Sequence, residues 1–167
     1  PNCLALPTGF EGNVFRRPDG TVVVPIVTPG VSRVSPYEWA NLPVIVRVSD
    51  AASVRRVYQL SDDRLGPVAL DFERRGGELH VTLPRHRAVS MLVLAASGQF
   101  VALADQSIGP GGGSATLHYD DLDHGRRVTR TVDVPASSAD TAFALIQPEP
   151  VAEAVLPSPE WEIDRRP

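Results

Sequence analysis

Asp120-Asp121-Leu122-Asp123-His124-Gly125 sets three carboxylates beside an imidazole within six residues. Carboxylate oxygens and imidazole nitrogens are the donors that divalent cations take. Asp121-x-Asp123-x-Gly125 has the spacing that begins a calcium loop. The full loop also needs flanking helices and a later Glu, and the sequence shows neither. His118 and His124 can approach across a hairpin formed by 114–120 and 126–134. With Asp121 or Asp123 the two imidazoles would then give a three-ligand metal site, so Asp121, Asp123 and His118 are the candidate ligands. The competing explanation is simpler: Asp and Gly are the residues a hairpin turn wants. Calcium or zinc is the one cofactor for which the chain offers candidate ligands. Otherwise the expectation is no cofactor.

Other chemistries find less support. Neither HxH nor HExxH occurs among His80, His86, His118 and His124. A nucleophilic serine needs an elbow such as G-x-S-x-G, which is absent; Gly113-Ser114 follows a glycine run instead. Cys3 has no basic neighbour to lower its pKa. The glycine run lacks the Lys-Ser/Thr of a phosphate loop and the helix after it. Asp62, Asp63, Asp71, Glu73 and Glu78 supply carboxyls for glycosidic cleavage. Sequence places no two of them across a substrate, and Arg55, Arg56, Arg74 and Arg75 are available to balance them on a solvated face. No catalytic residue is assigned. Tyr37 and Trp39 are the densest aromatic pair and are candidates for stacking against a sugar ring. The alternative is that Trp39 plugs one end of the core.

The elements that must position these groups read as strands. LPVIVRV (42–48), VRRVYQL (54–60), PVALDFE (67–73), ELHVTLP (from 78) and AVSMLVLAA (88–96) follow one another, with Asp, Gly, Pro or Ser at the joins. In the fourth, Leu79, Val81 and Leu83 fall on one face and Glu78, His80 and Thr82 on the other, the period of a half-buried antiparallel strand. Upstream, Pro18-Asp19-Gly20 between NVFRR and TVVVPIV predicts a hairpin. Pro25 within the second run forfeits a ladder hydrogen bond and predicts an edge strand or a bulge. Downstream, QFVALAD (99–105), SATLHYD (114–120), RRVTRTVDV (126–134) and TAFALIQ (141–147) read as further strands. Between the first two, the glycines of 109–113 predict a flexible loop or a turn with close backbone approach. Gly76-Gly77 marks the tightest turn.

The fold class expected is all-β: an antiparallel sandwich over 1–96, a second small strand-rich, Ig-like part over 97–150, and an extended Pro-rich tail over 151–167. Trp161 and Ile163 in that tail are costly to leave in water, so the tail is expected to dock. The 167 residues suffice for one sizeable core or two small ones, and 43% hydrophobic content is that of a folded chain. A net charge of −4 argues against a nucleic-acid partner. All 16 Lys and Arg residues are Arg, as a GC-rich coding sequence gives. No apolar run approaches the roughly 20 residues of a membrane helix, so no membrane partner is expected. A single Cys3 allows no intrachain disulfide, which fits a reducing compartment and leaves export open. The start, Pro-Asn-Cys without Met, fits a trimmed start or a piece of a longer protein, and strands without site chemistry favour the piece.

Residues 12–96 resemble the C-terminal β-sandwich that follows the catalytic barrel in many bacterial glycoside hydrolases. The stretches that carry this are Val54-Arg55-Arg56-Val57-Tyr58-Gln59-Leu60-Ser61, Gly77-Glu78-Leu79-His80-Val81-Thr82-Leu83-Pro84-Arg85-His86-Arg87, and Ser90 to Leu94. The resemblance spans about half the chain, and much of its pattern is what any sandwich hairpin requires. It implies a non-catalytic accessory region of a carbohydrate-active enzyme. The partner would be the catalytic domain of the same protein, with carbohydrate as a second one. The other reading is a stand-alone adhesion or protein-interaction module.

Overall fold

The computed structural model describes residues 3–29, 38–61, 64, 66–109 and 111–135. Thirteen strands run in chain order through them: β1 (Leu4–Ala5), β2 (Glu11–Gly12), β3 (Phe15–Arg16), β4 (Val22–Val27), β5 (Trp39–Arg47), β6 (Arg56–Ser61), β7 (Val68–Leu70), β8 (Phe72–Arg75), β9 (Glu78–His86), β10 (Val89–Ala95), β11 (Gln99–Gly109), β12 (Gly112–Asp121) and β13 (Arg126–Val134). One 3₁₀ turn, Ala51–Ser53, joins β5 to β6. The architecture is an all-β sandwich, not a closed barrel.

The first sheet has the order β1-β5-β9-β8. The second has the order β13-β12-β11-β7-β6-β10-β4-β2, with β3 also on β4. Alternation decides what lies between them. Val22, Val24 and Ile26 of β4, Val57 of β6, and Leu92 and Leu94 of β10 face Leu42, Val44 and Val46 of β5 and Leu79, Val81 and Leu83 of β9. Burying one such side chain contributes about 1.5–3 kcal/mol, so this aliphatic slab is the main source of stability.

The turns form as their residues require. Gly20 has φ +84° and its N–H reaches the Arg17 carbonyl at 3.0 Å; the Asp19 carboxylate accepts from Thr21 N–H at 2.9 Å. Gly76 and Gly77 both have positive φ, the requirement of the tight hairpin that joins β8 to β9. Pro25 is not on an outermost strand. It pairs with Met91 of β10 on one side. On the other, β2 pairs at Ile26 and Val27 and β3 at Val22 and Val23. The missing N–H therefore sits where the neighbouring strand is interrupted at Asn13-Val14.

Two expectations change. The run 67–73 is not one strand: β7 pairs with β6 in one sheet, and β8 pairs with β9 in the other, with the crossing at Asp71. The glycine run is largely regular structure. Gly109 pairs with Gly112, Ile108 with Gly113 and Ser107 with Ser114, which continues the β11–β12 ladder. The predicted close approach is real at Gly113, where an added Cβ would lie 1.9 Å from the Ser107 carbonyl oxygen.

The strands after residue 96 continue the second sheet. β11 meets β7 in parallel through Leu103 and Val68, and the Leu103 N–H reaches the Pro67 carbonyl at 2.6 Å. Leu103, Ala115, Leu117 and Val134 make a separate apolar cluster there. The TAFALIQ stretch and the tail with Trp161 and Ile163 lie outside the described residues.

Candidate functional site

Three places stand out, two that gather polar and aromatic groups and one that is apolar, and the metal loop is not among them. His118 Nδ1 lies 2.9 Å from Thr129 Oγ1 on β13. Asp121 is odd-numbered relative to His118 on the same strand, so it belongs to the other face. Its carboxylate takes the His124 ring at 2.8 Å. Asp123 accepts the Gly98 N–H at 3.1 Å. Among the described residues, no three His, Cys, Asp or Glu side chains are placed to hold a metal. Leu122, inside the same turn, is buried, and its backbone fastens the turn: its N–H reaches the Gly98 carbonyl at 2.9 Å, and its carbonyl accepts from Arg55.

Asp120, the first residue of that cluster, has a different role. It is 3% exposed. Its Oδ2 accepts from Tyr58 Oη at 2.7 Å, and its carboxylate takes Arg127 Nε at 2.6 Å and Nη2 at 3.0 Å. Burial opposes the charge on Asp120, but the hydrogen bonds from Arg127 and Tyr58 outweigh it, and the carboxyl sits below its ordinary range. Burial, reinforced by the carboxylate at its hydroxyl, pushes the Tyr58 phenol far up. The Asp120 hydrogen bond raises Arg127. Tyr58 lies on the outward face of the second sheet and stacks on Phe100 at 5.0 Å. Ala95, Ala102 and Leu122 complete this cluster. In a flat sheet β6 and β12 would be three strand spacings, roughly 14 Å, apart. The contact requires that the sheet curl back on itself beyond β7.

The second place is the end of β5 and β9. His86 is fully buried, with Nε2 2.9 Å from Thr28 Oγ1 and Nδ1 2.8 Å from Ser90 Oγ. Gln59 Nε2 donates to the Arg85 carbonyl at 2.7 Å and lies 3.2 Å from Ser90 Oγ. Ser90 is 1% exposed, so this serine–imidazole contact has no access for a substrate. Trp39 pairs with His86, its ring 5.8 Å from the imidazole and 5.2 Å from Phe10. Asn41, with φ 55°, lies between Trp39 and Leu42; Leu42, three positions after Trp39, enters the main core, while Trp39 packs against Phe10 and His86. Trp39 keeps a partly exposed edge. Tyr37 lies outside the described residues.

The carboxylates considered for glycosidic cleavage are dispersed. Glu73 pairs with Arg75 in solvent, and Glu78 pairs with Arg47 at 2.7 Å and His80 at 3.1 Å. Arg74 and Arg55 do not balance them. Arg74 donates to the Ala51 and Val54 carbonyls and lies over Phe72, and Arg55 is taken up by Leu122. Asp62 and Asp63 lie outside the described residues.

The third place is apolar. On the outward face of the second sheet, Phe15 pairs with Val23, and Val23 with Val93. In the next row Pro25 pairs with Met91, and Met91 with Leu60. In the third, Val27 pairs with Val89. Phe15 is 56% exposed, Val89 47%, and Leu60, Met91 and Val27 are each more than a third exposed. Their side chains form cross-strand neighbours, so the exposure is contiguous. Alternation does not single out this face, because apolar side chains stand at outward as well as inward positions of β4, β6 and β10.

No family model and no curated protein matches the sequence. Among solved structures, the chain is similar to a cycloisomaltooligosaccharide glucanotransferase of Paenibacillus sp., determined with cycloisomaltoheptaose. The identity is 19% and the TM-score 0.45, over 55% of this chain and 16% of that one. It is also similar to α-L-fucosidase isoenzyme 2 of Paenibacillus thiaminolyticus, at 15% identity and TM-score 0.42, over 57% of this chain and 15% of that one. The chain thus spans about a sixth of the length of each of these carbohydrate-active enzymes.

Proposed function

We propose that this chain is a non-catalytic β-sandwich region of a larger carbohydrate-active enzyme, and that it packs on the catalytic domain of the same polypeptide. The observation that carries the reading is the three-row apolar face of β3, β4, β10 and β6. Contiguous exposed apolar surface marks a place where something packs. Its inner rows hold Val, Met, Leu and Pro and no charged side chain; Glu11, opposite Val27, stands at the rim. That composition suits a permanent contact within one protein better than a transient, polar one. The accessory role inferred from residues 12–96 needs such a face. A glycan contact at the exposed edge of Trp39 is the finer part of the proposal, with Tyr37 beside it in sequence.

Met91 makes the test direct, because it is the only methionine in the chain. Peroxide converts exposed methionine to sulfoxide and spares buried methionine. Met91 should oxidise readily in the 167-residue chain and at least tenfold more slowly in the full native polypeptide. Equal rates would remove the docking surface from the proposal. A native polypeptide with no other folded domain would transfer the face to a separate partner, which is the interaction-module reading.

A further inference from the structure

A polar cleft of about 430 Å³ opens beside the Asp120–Arg127 pair, lined by Arg56, Leu70, Asp71, Phe72, His118 and Arg127 among others. It exists because β7 and β11 share a single bridging pair, Leu103 and Val68, and the chain leaves the sheet at Asp71. Its size falls within the roughly 300–1,000 Å³ range of small-molecule clefts.

We propose that this cleft binds a sugar residue bearing a carboxylate. Arg127 gives Nε and Nη2 to Asp120, which leaves Nη1 with no hydrogen bond among the described residues. Arg56 uses only Nη1, on the Arg55 carbonyl at 3.1 Å. Two guanidinium groups with open N–H donors match a carboxylate in charge and in planar geometry. Asp71 makes no hydrogen bond or ion pair among the described residues and can accept from ligand hydroxyls, as carboxylates do. His118 is oriented by Thr129 through Nδ1, so its Nε2 remains for a further hydroxyl. Leu70 and Phe72 add apolar lining, with Arg74 lying over the Phe72 ring.

This set discriminates between ligand classes. A neutral sugar offers the open N–H donors of Arg56 and Arg127 no charged acceptor. A phosphate brings about two negative charges against Asp71 and has no hydroxyl row for Asp71 and His118. Arg127 is also held in place: Asp120 fixes Arg127, and Tyr58 fixes Asp120, so that side chain loses little freedom on binding. The proposal is independent of the apolar docking face, which uses β3, β4, β10 and the other end of β6.

Calorimetric titration of the full chain with glucuronate, glucose, acetate and inorganic phosphate tests it. Glucuronate should saturate with a dissociation constant of about 1 mM or tighter, the other three binding at least tenfold more weakly. Arg127→Gln breaks a buried pair and is unsafe as the sole variant. Arg56→Gln removes an exposed group and should weaken glucuronate at least tenfold with unchanged thermal stability. Comparison with an oligouronide separates the sources. Tighter binding of the oligomer assigns the ligand to a polysaccharide end, and equal binding assigns it to the free sugar acid. Acetate or phosphate binding as tightly as glucuronate, no glucuronate binding, or an Arg56→Gln protein that binds normally would each overturn the proposal.

Discussion

The Tyr58 hydroxyl donates a 2.7 Å hydrogen bond to the Asp120 carboxylate, across 62 positions of sequence and between the sandwich proper and the strands that extend it. The bond ties the curl of the second sheet to β6. Tyr58→Phe should cost about 1.5–3 kcal/mol, the usual range for a hydrogen bond to a charged group. Asp120→Ala should cost more, about 3–5 kcal/mol, because it leaves Arg127 and Tyr58 facing a site with no acceptor. Partial exposure of Arg127 places the second figure towards its lower end. Urea unfolding of both variants and the double variant measures this. A Tyr58→Phe protein within 0.5 kcal/mol of the parent would show that the bond does not hold the curl.

The same pair gives stability an expected pH profile. The folded-state pKa of Asp120 is depressed, so its contribution is present above the unfolded value of about 3.9 and is lost as pH falls through the folded value. Tyr58 is raised, so its contribution is intact below about pH 10 and is lost as pH climbs beyond that. Unfolding midpoints should therefore fall at both ends. Asp120→Asn should flatten the acid limb and Tyr58→Phe the alkaline limb. An acid limb unchanged by Asp120→Asn would assign that limb to other carboxylates, such as Asp50, whose pKa Arg16 also lowers.

Gly113 and Gly109 lie in one hairpin and should respond oppositely to the same change. At Gly113 a Cβ meets the Ser107 carbonyl, a backbone atom that cannot swing aside; at Gly109 nothing lies within 4 Å. Gly113→Ala should destabilise by about 2 kcal/mol or more, in the range of overpacked sites. Gly109→Ala should be neutral or stabilising by up to about 1 kcal/mol. Thermal melts of the two single variants decide it, and equal effects would contradict the close approach.

Trp39 is expected to act on stability whatever it binds. Its ring closes against Phe10 and the fully buried His86, so Trp39→Ala should cost about 2–3 kcal/mol, below the full range for buried aromatics because one edge is exposed. A glycan array with Trp39→Phe, which preserves an aromatic packing surface, separates the two roles. Lost glycan signal with preserved stability would place a sugar on the indole. A Trp39→Ala protein with an unchanged unfolding midpoint would refute the packing.

The local features were legible because their causes are local. Period-two alternation identified β9 and its inward Leu79, Val81 and Leu83, and Pro18-Asp19-Gly20 and Gly76-Gly77 placed hairpins through the φ values their residues allow. Alternation reports that one face is buried, not which sheet does the burying. The change of sheet at Asp71 therefore left no mark inside an otherwise regular run. The glycine-rich stretch was misread in part for a related reason: a glycine that costs entropy in an isolated strand is retained where a facing carbonyl leaves no room for Cβ.

Site residues divide along the same line. Sequence proximity grouped Asp120, Asp121, Asp123 and His124, but strand alternation sends neighbouring side chains to opposite faces. Tertiary structure gave Asp120 to Tyr58 and Arg127, Asp121 to His124, and Asp123 to Gly98. The chain by itself determined an all-β fold, its turns and its inward rows, since these follow from residue type and a spacing of two. The curl that joins β6 to β12, the change of sheet at Asp71, the exposed apolar face and the cleft at Arg56 and Arg127 were decided only by packing. Each depends on which distant strands become neighbours, and hydrophobic pattern does not encode that partner choice.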